Sequence, residues 1–128
     1  MPPSPFKGLS GLRFDAKGQL YVGSVVEQTI YRVDVATREY EIFLNRPDGQ
    51  ADDFFFTPTG KIFYTALLNG EVRTFDPQTN KVATIANGIP AVDPIAQDKS
   101  GRIFICQSLS LSNTGLYQVD PTGQNPRV

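Results

Sequence analysis

Three stretches of this chain can be written one above another: "LRFDAKGQLYVGS", "FFFTPTGKIFYTA" and "IAQDKSGRIFICQ". Their turn glycines, Gly18, Gly60 and Gly101, recur at intervals of 42 and 41 residues. After each glycine comes one polar residue and then an apolar triplet: Leu20-Tyr21-Val22, Ile62-Phe63-Tyr64 and Ile103-Phe104-Ile105. A later segment recurs as "IYRVDVAT", "VRTFDPQT" and "LYQVDPTG", with Asp34, Asp76 and Asp120 spaced by 42 and 44. A sequence that repeats at this interval is built from supersecondary units that bury their apolar faces only against one another.

Each unit reads as four short strands joined by tight turns. Two copies of a fourth strand are visible as "REYEIFL" and "KVATIA", and no segment has a helical period. Gly18, Gly60 and Gly101 stand where a hairpin turn needs positive φ. Asp76-Pro77 and Asp120-Pro121 close hairpins, with Asp capping and Pro fixing φ. A four-stranded antiparallel unit recurring at about 40 to 45 residues is the pattern of a β-propeller blade. The expected fold is therefore all-β: three blades at roughly 8–46, 47–88 and 89–128, forming one half-propeller domain over 1–128. A β-sandwich is the alternative, but it does not predict the period. Rings typically have about 4 to 8 blades, so three leave two apolar faces open. Either a second copy closes a six-bladed ring as a twofold homodimer, or the other half belongs to a longer chain.

Single residue counts exclude whole chemistries. The chain has no histidine and one cysteine, which rules out a Ser-His-Asp triad, a His-ligated zinc and an intrachain disulfide. Cys106 lies in the β-type run "GRIFICQ" and is expected to be a buried, inert thiol. Formal net charge is −1, with no basic run, so neither nucleic acid nor an acidic membrane surface is an expected partner. No signal peptide or membrane-spanning stretch is visible, and a cytoplasmic location is the default expectation. What remains for chemistry is oxygen: carboxylates, amides, hydroxyls and hard metal ions.

The segments "GLSGLRFDAKGQLYVGS", "QADDFFFTPTGKIFYTA" and "VDPIAQDKSGRIFICQ" resemble blade repeats of the gluconolactonase/regucalcin-like six-bladed propellers. The strictosidine-synthase-like and streptogramin-lyase propellers are close alternatives. The resemblance runs along the whole chain but covers about half of such a propeller. It implies a divalent cation, usually calcium, held in a central channel by carboxylates and amides of the inner strands, and activating lactones or esters. Aligned on the turn glycines, Ser10, Asp52 and Asp93 are equivalent, as are Gly11, Asp53 and Pro94. These positions precede the innermost strand of each blade, at the channel rim. The resemblance thus implies Asp52, Asp53 and Asp93 as metal ligands, with Asp53 and Asp93 as the catalytic pair. The glutamate expected at the start of the first blade is Ser10 here.

Hard cations such as Ca²⁺ take about 6 to 8 oxygens, and two facing half-rings would supply each aspartate twice. Such a metal could polarise a lactone carbonyl while a spare carboxylate acts as base. Turn chemistry is the competing explanation for every aspartate here, and Asp15, Asp34, Asp76, Asp98 and Asp120 are expected to be turn residues. Gln107 is a candidate amide ligand, and Phe55 a candidate channel or substrate residue, since its equivalents are Arg13 and Ala96. The connections 45–49 and 87–90 and the longer loop 108–115 could lip a ligand site. Three functions compete: a metal-dependent hydrolase of lactones or small esters, a non-catalytic self-assembling binding module, and an inactive fragment.

Overall fold

The computed structural model describes residues 5–45, 51–107, 115–122 and 126–127. The connection 46–50 and most of the loop 108–115, both considered above, lie outside them. The described residues form twelve strands and no helix, so none is long and apolar enough to cross a membrane. The first sheet comprises β1 (Leu9–Phe14), β2 (Leu20–Ser24), β3 (Thr29–Val33) and β4 (Tyr40–Asn45). The second comprises β5 (Ala51–Phe56), β6 (Ile62–Ala66), β7 (Glu71–Asp76) and β8 (Lys81–Ala86). The third comprises β9 (Val92–Gln97), β10 (Ile103–Gln107), β11 (Leu116–Val119) and β12 (Pro126–Arg127). Each is a four-stranded antiparallel meander in chain order.

One turn is built three times. Gly18, Gly60 and Gly101 have φ of 79°, 84° and 86°, the left-handed region that glycine enters without a Cβ penalty. In each, the glycine amide donates to the carbonyl three residues back, at 3.1, 2.9 and 3.1 Å. Asp15 and Asp98 accept amide hydrogens from the same turns. Asp34, Asp76 and Asp120 do the same in the second set of hairpins. These aspartates are turn residues, as expected.

The sheets pack face to face through two apolar layers. Ile30, Leu44, Phe54, Ile62, Tyr64 and Phe75 fill the layer between the first and second sheets. Val72, Ile85, Val92, Ile95, Ile103 and Ile105 fill the layer between the second and third. Period-two alternation divides β5 between them: Phe54 and Phe56 face the first sheet, and Phe55 faces the third. Gly11 and Gly23 allow β5 to come close to β1 and β2. A Cβ on either would lie 2.8 Å from the carbonyl oxygen of Asp52.

Candidate functional site

The first strand of every sheet carries the same irregularity. Pairing slips by one residue between Leu9 and Leu12, between Ala51 and Phe54, and between the Ile105 and Gln107 partners Ile95 and Val92. The extra residues of these bulges are Ser10 and Gly11, Asp52 and Asp53, and Asp93 and Pro94. A bulge leaves residues out of the ladder and re-aims their side chains. Asp52 and Asp53 are both buried, at 2% and 8% exposure, because the second sheet is covered on both faces, as the unbroken buried run Ile62–Ala66 also shows.

Asp53 ties three sheets together. Its Oδ2 accepts from Arg13 Nη2 of β1 at 2.9 Å and from the Ile95 amide of β9 at 3.1 Å. Its amide donates to Thr65 Oγ1 at 3.1 Å, and the Thr65 hydroxyl donates to the Asp93 carbonyl at 2.8 Å. Its Oδ1 is buried, without a hydrogen-bond partner among the described residues, at 3.0 Å from where a Cβ on Gly11 would lie. Buried charge is tolerated only with such partners.

Asp52 makes a separate group. Its carboxyl lies near Ser10 and Asp93, the first favouring its ionised form and the second its protonated form. Burial, and secondarily the negative charge of Asp93, push its pKa up to about 6, while the Ser10 hydrogen bond acts in the opposite direction. The three equivalent bulge positions therefore lie close enough to act on one another. A buried carboxyl beside a like charge keeps its proton more readily than an exposed one.

The expected three-carboxylate metal set is not assembled. Among the described residues no group of three acidic, His or Cys side chains is placed to hold a metal ion. Asp53 is the reason, because its oxygen is committed to the Arg13 guanidinium, a cation that repels a second one. Asp52, Asp93 and the Ser10 hydroxyl of one chain supply fewer side-chain oxygens than the roughly six that calcium takes, and water or backbone would have to supply the rest. Gln107 is also committed: its Nε2 donates to the Pro90 carbonyl at 2.9 Å, and its Oε1 accepts from Tyr117 at 3.0 Å. Phe55 stacks on Phe63 with centroids 5.2 Å apart and planes 9° apart, and this packing against the third sheet accounts for it. Sequence reasoning missed Arg13 and Thr65. A charged residue at the position held by Phe55 and Ala96 in the other units was the available signal for Arg13. Nothing marked Thr65.

No protein-family model and no curated protein sequence matches the chain. Solved structures do. Over 96% of the chain it superposes on 48% of a chain in the crystal structure of a nidogen/laminin complex, with a TM-score of 0.81 and 18% identity. Over 94% it matches 42% of regucalcin, a calcium-binding protein from Agrobacterium tumefaciens, with a TM-score of 0.69 and 14% identity. Over 93% it matches 47% of a protein assigned as a gluconolactonase, again with a TM-score of 0.69 and 14% identity. The chain spans less than half the length of each of them. At these identities the likeness is one of fold, and the fold is of the propeller type, as in the gluconolactonase/regucalcin-like proteins.

Proposed function

We propose that this chain is half of a six-bladed propeller and hydrolyses a lactone or small ester at the inner rim, using Asp52 and Asp93. The observation that carries this reading is the Asp52–Asp93 carboxyl pair, whose buried member is pushed up to about 6. One proton on the pair gives an acid and a base side by side, the division of labour that general acid–base catalysis needs. Asp93 takes a proton from water as the water oxygen attacks the acyl carbon. The acyl C–O bond then breaks, and Asp52 gives its proton to the departing oxygen. Transfer across the pair from Asp93 to Asp52 restores the starting state. No step runs through a metal. The likeness to a protein assigned as a gluconolactonase supports the choice of substrate class.

Hydrolysis of a six-membered sugar lactone, followed by pH-stat, tests this. Asp93→Asn should lower kcat at least about 100-fold, the lower end of what acid–base catalysis contributes, while Asp34→Asn leaves it unchanged. A wild-type rate equal to that of buffer alone would falsify the enzyme reading. A non-catalytic self-assembling module is the second reading. It is favoured by Asp53, which spends its carboxylate on Arg13 and Ile95 and so serves to join sheets.

A further inference from the structure

We propose that the free face of the first blade docks on the free face of the third blade of a second copy, so that two copies close one ring. This rests on the half-propeller reading but not on the hydrolytic one. The register identifies the face. On the open side of the first sheet, Leu12, Val22, Tyr31 and Ile42 lie in one cross-strand row. In the second sheet the row at the same positions is Phe54, Tyr64, Arg73 and Thr84, and it is packed against the first sheet. A second row, Phe14, Leu20, Val33 and Tyr40, corresponds to Phe56, Ile62, Phe75 and Val82. The open side of the first blade is thus the side by which each later blade meets the one before it.

The open side of the third blade is the counterpart. Phe104 and Leu116 there hold the positions of Tyr21 and Ile30 in the first sheet and of Phe63 and Val72 in the second. Ile30 and Val72 are fully buried, whereas Leu116 is 60% exposed. Leu12 is 55% exposed, whereas its equivalent Phe54 is fully buried. Phe6 packs on the Tyr31–Tyr40 corner of that face; Val22 and Tyr31 are buried within the chain, while Phe14 and Ile42 are 61% and 63% exposed.

Where the first sheet sets Arg13 against Asp53 of the second, the open face of the third blade carries Ala96 at the position of Arg13, so closing it buries no arginine there. Four strands about 4.8 Å apart, with about five residues each at ~3.3 Å, make a face of roughly 300 Å². Two joins then cover roughly 1,200 Å², the lower end of stable interfaces. A second copy supplies both missing faces at once, whereas any single-faced partner leaves one open.

Sedimentation equilibrium on the full chain at micromolar concentration tests the proposal. Twice the chain mass is expected. Ile42→Arg and Leu116→Arg should each give the single mass with an unchanged circular dichroism spectrum, and Leu68→Arg, on an exposed turn of the second blade, should stay double. A single mass for the wild type, a ladder of larger species, or folded Ile42→Arg and Leu116→Arg chains at double mass would overturn it. The native thiol reads the same interface without mutation. Cys106, half-buried rather than fully buried as expected, holds the position of Gly23 and Thr65 on the open face. Its alkylation should be slow in the dimer and fast after dilution; a rate independent of concentration overturns the docking. Double mass without lactone hydrolysis would sink the chemistry alone, and hydrolysis by a single-mass chain would sink the docking alone.

Discussion

Arg13 Nη2 lies 2.9 Å from Asp53 Oδ2 across the junction of the first two sheets, and the Ile95 amide of the third sheet meets the same oxygen. The carboxylate is 11% exposed and the guanidinium 40%, so solvent screens one side of the pair. Arg13→Ala leaves a buried carboxylate with one amide, and a cost of about 1–3 kcal/mol is expected after discounting for that screening. Asp53→Asn should cost a similar amount. A double-mutant cycle by urea unfolding should return a coupling of about 1 kcal/mol. Additive single costs would show that the contact is incidental.

The meander and its turns were legible in the sequence because glycine at positive φ and aspartate on turn amides are local chemistry, repeated three times. The faces of the strands followed from alternation. What was not legible is where bulged residues point. Asp52 and Asp53 are adjacent in the chain and equivalent to Ser10 and Gly11, so spacing alone made them one acidic site. The structure divides them, Asp53 to Arg13 and Asp52 to Asp93. That division depends on contacts across sheets 40 residues apart, which no local pattern encodes.

Stability should rise as pH falls from about 6 to about 4. The folded-state pKa of Asp52 is pushed up to about 6, above the ordinary carboxylate value near ~3.9. Folding therefore binds a proton, and ionising Asp52 opposes folding. The opposition is absent below about pH 4 and complete above about pH 6, amounting to about 1–3 kcal/mol. Asp98 works the other way. Its hydrogen bond with Ser100 and its contacts with Arg102 hold it down to about 2, so its contribution is lost only below about pH 4. Chemical unfolding at pH 4, 5, 6 and 7 should show the rise, and Asp52→Asn should flatten it. An unaltered slope in that variant would assign the effect elsewhere.

Gly11→Ala and Gly18→Ala should both destabilise, for different reasons. A Cβ on Gly11 meets the Asp52 carbonyl at 2.8 Å, Phe54 Cε1 at 2.9 Å and Asp53 Oδ1 at 3.0 Å. Two of these belong to a backbone or a committed carboxylate and cannot move aside, so about 2–3 kcal/mol is expected. Around Gly18 nothing lies within 4 Å, and the strain comes from its φ of 79°, at about 1 kcal/mol. Thermal unfolding ranks the two, and the reverse order would refute the close approach of β5 to β1.

Calcium at about 1 mM should leave the melting temperature unchanged to within about 1 °C, because a cation stabilises only a fold that presents a site for it. Asp53 already holds a guanidinium, and burial favours the protonated form of Asp52, which is a poor metal ligand. A calcium-dependent rise of several degrees, abolished by Asp93→Asn and insensitive to Asp34→Asn, would restore the carboxylates to metal binding.

Phe54 and Phe55 should differ in cost and not in their effect on assembly. Phe54 is fully buried between the first and second sheets, and truncating it to alanine should cost about 3–5 kcal/mol. Phe55 is only partly buried on the opposite side of the strand and stacks on Phe63. Its truncation should cost about 1–3 kcal/mol, since less surface and one aromatic pair are lost. Both rings lie inside the chain, on the two faces of the middle sheet, away from the open faces of the first and third. Neither variant should therefore dissociate the proposed dimer while the chain remains folded. Calorimetry for stability and sedimentation for mass separate the two quantities. If Phe55→Ala gave a folded single-mass chain, the ring would have to reach an open face, against its stacking on Phe63.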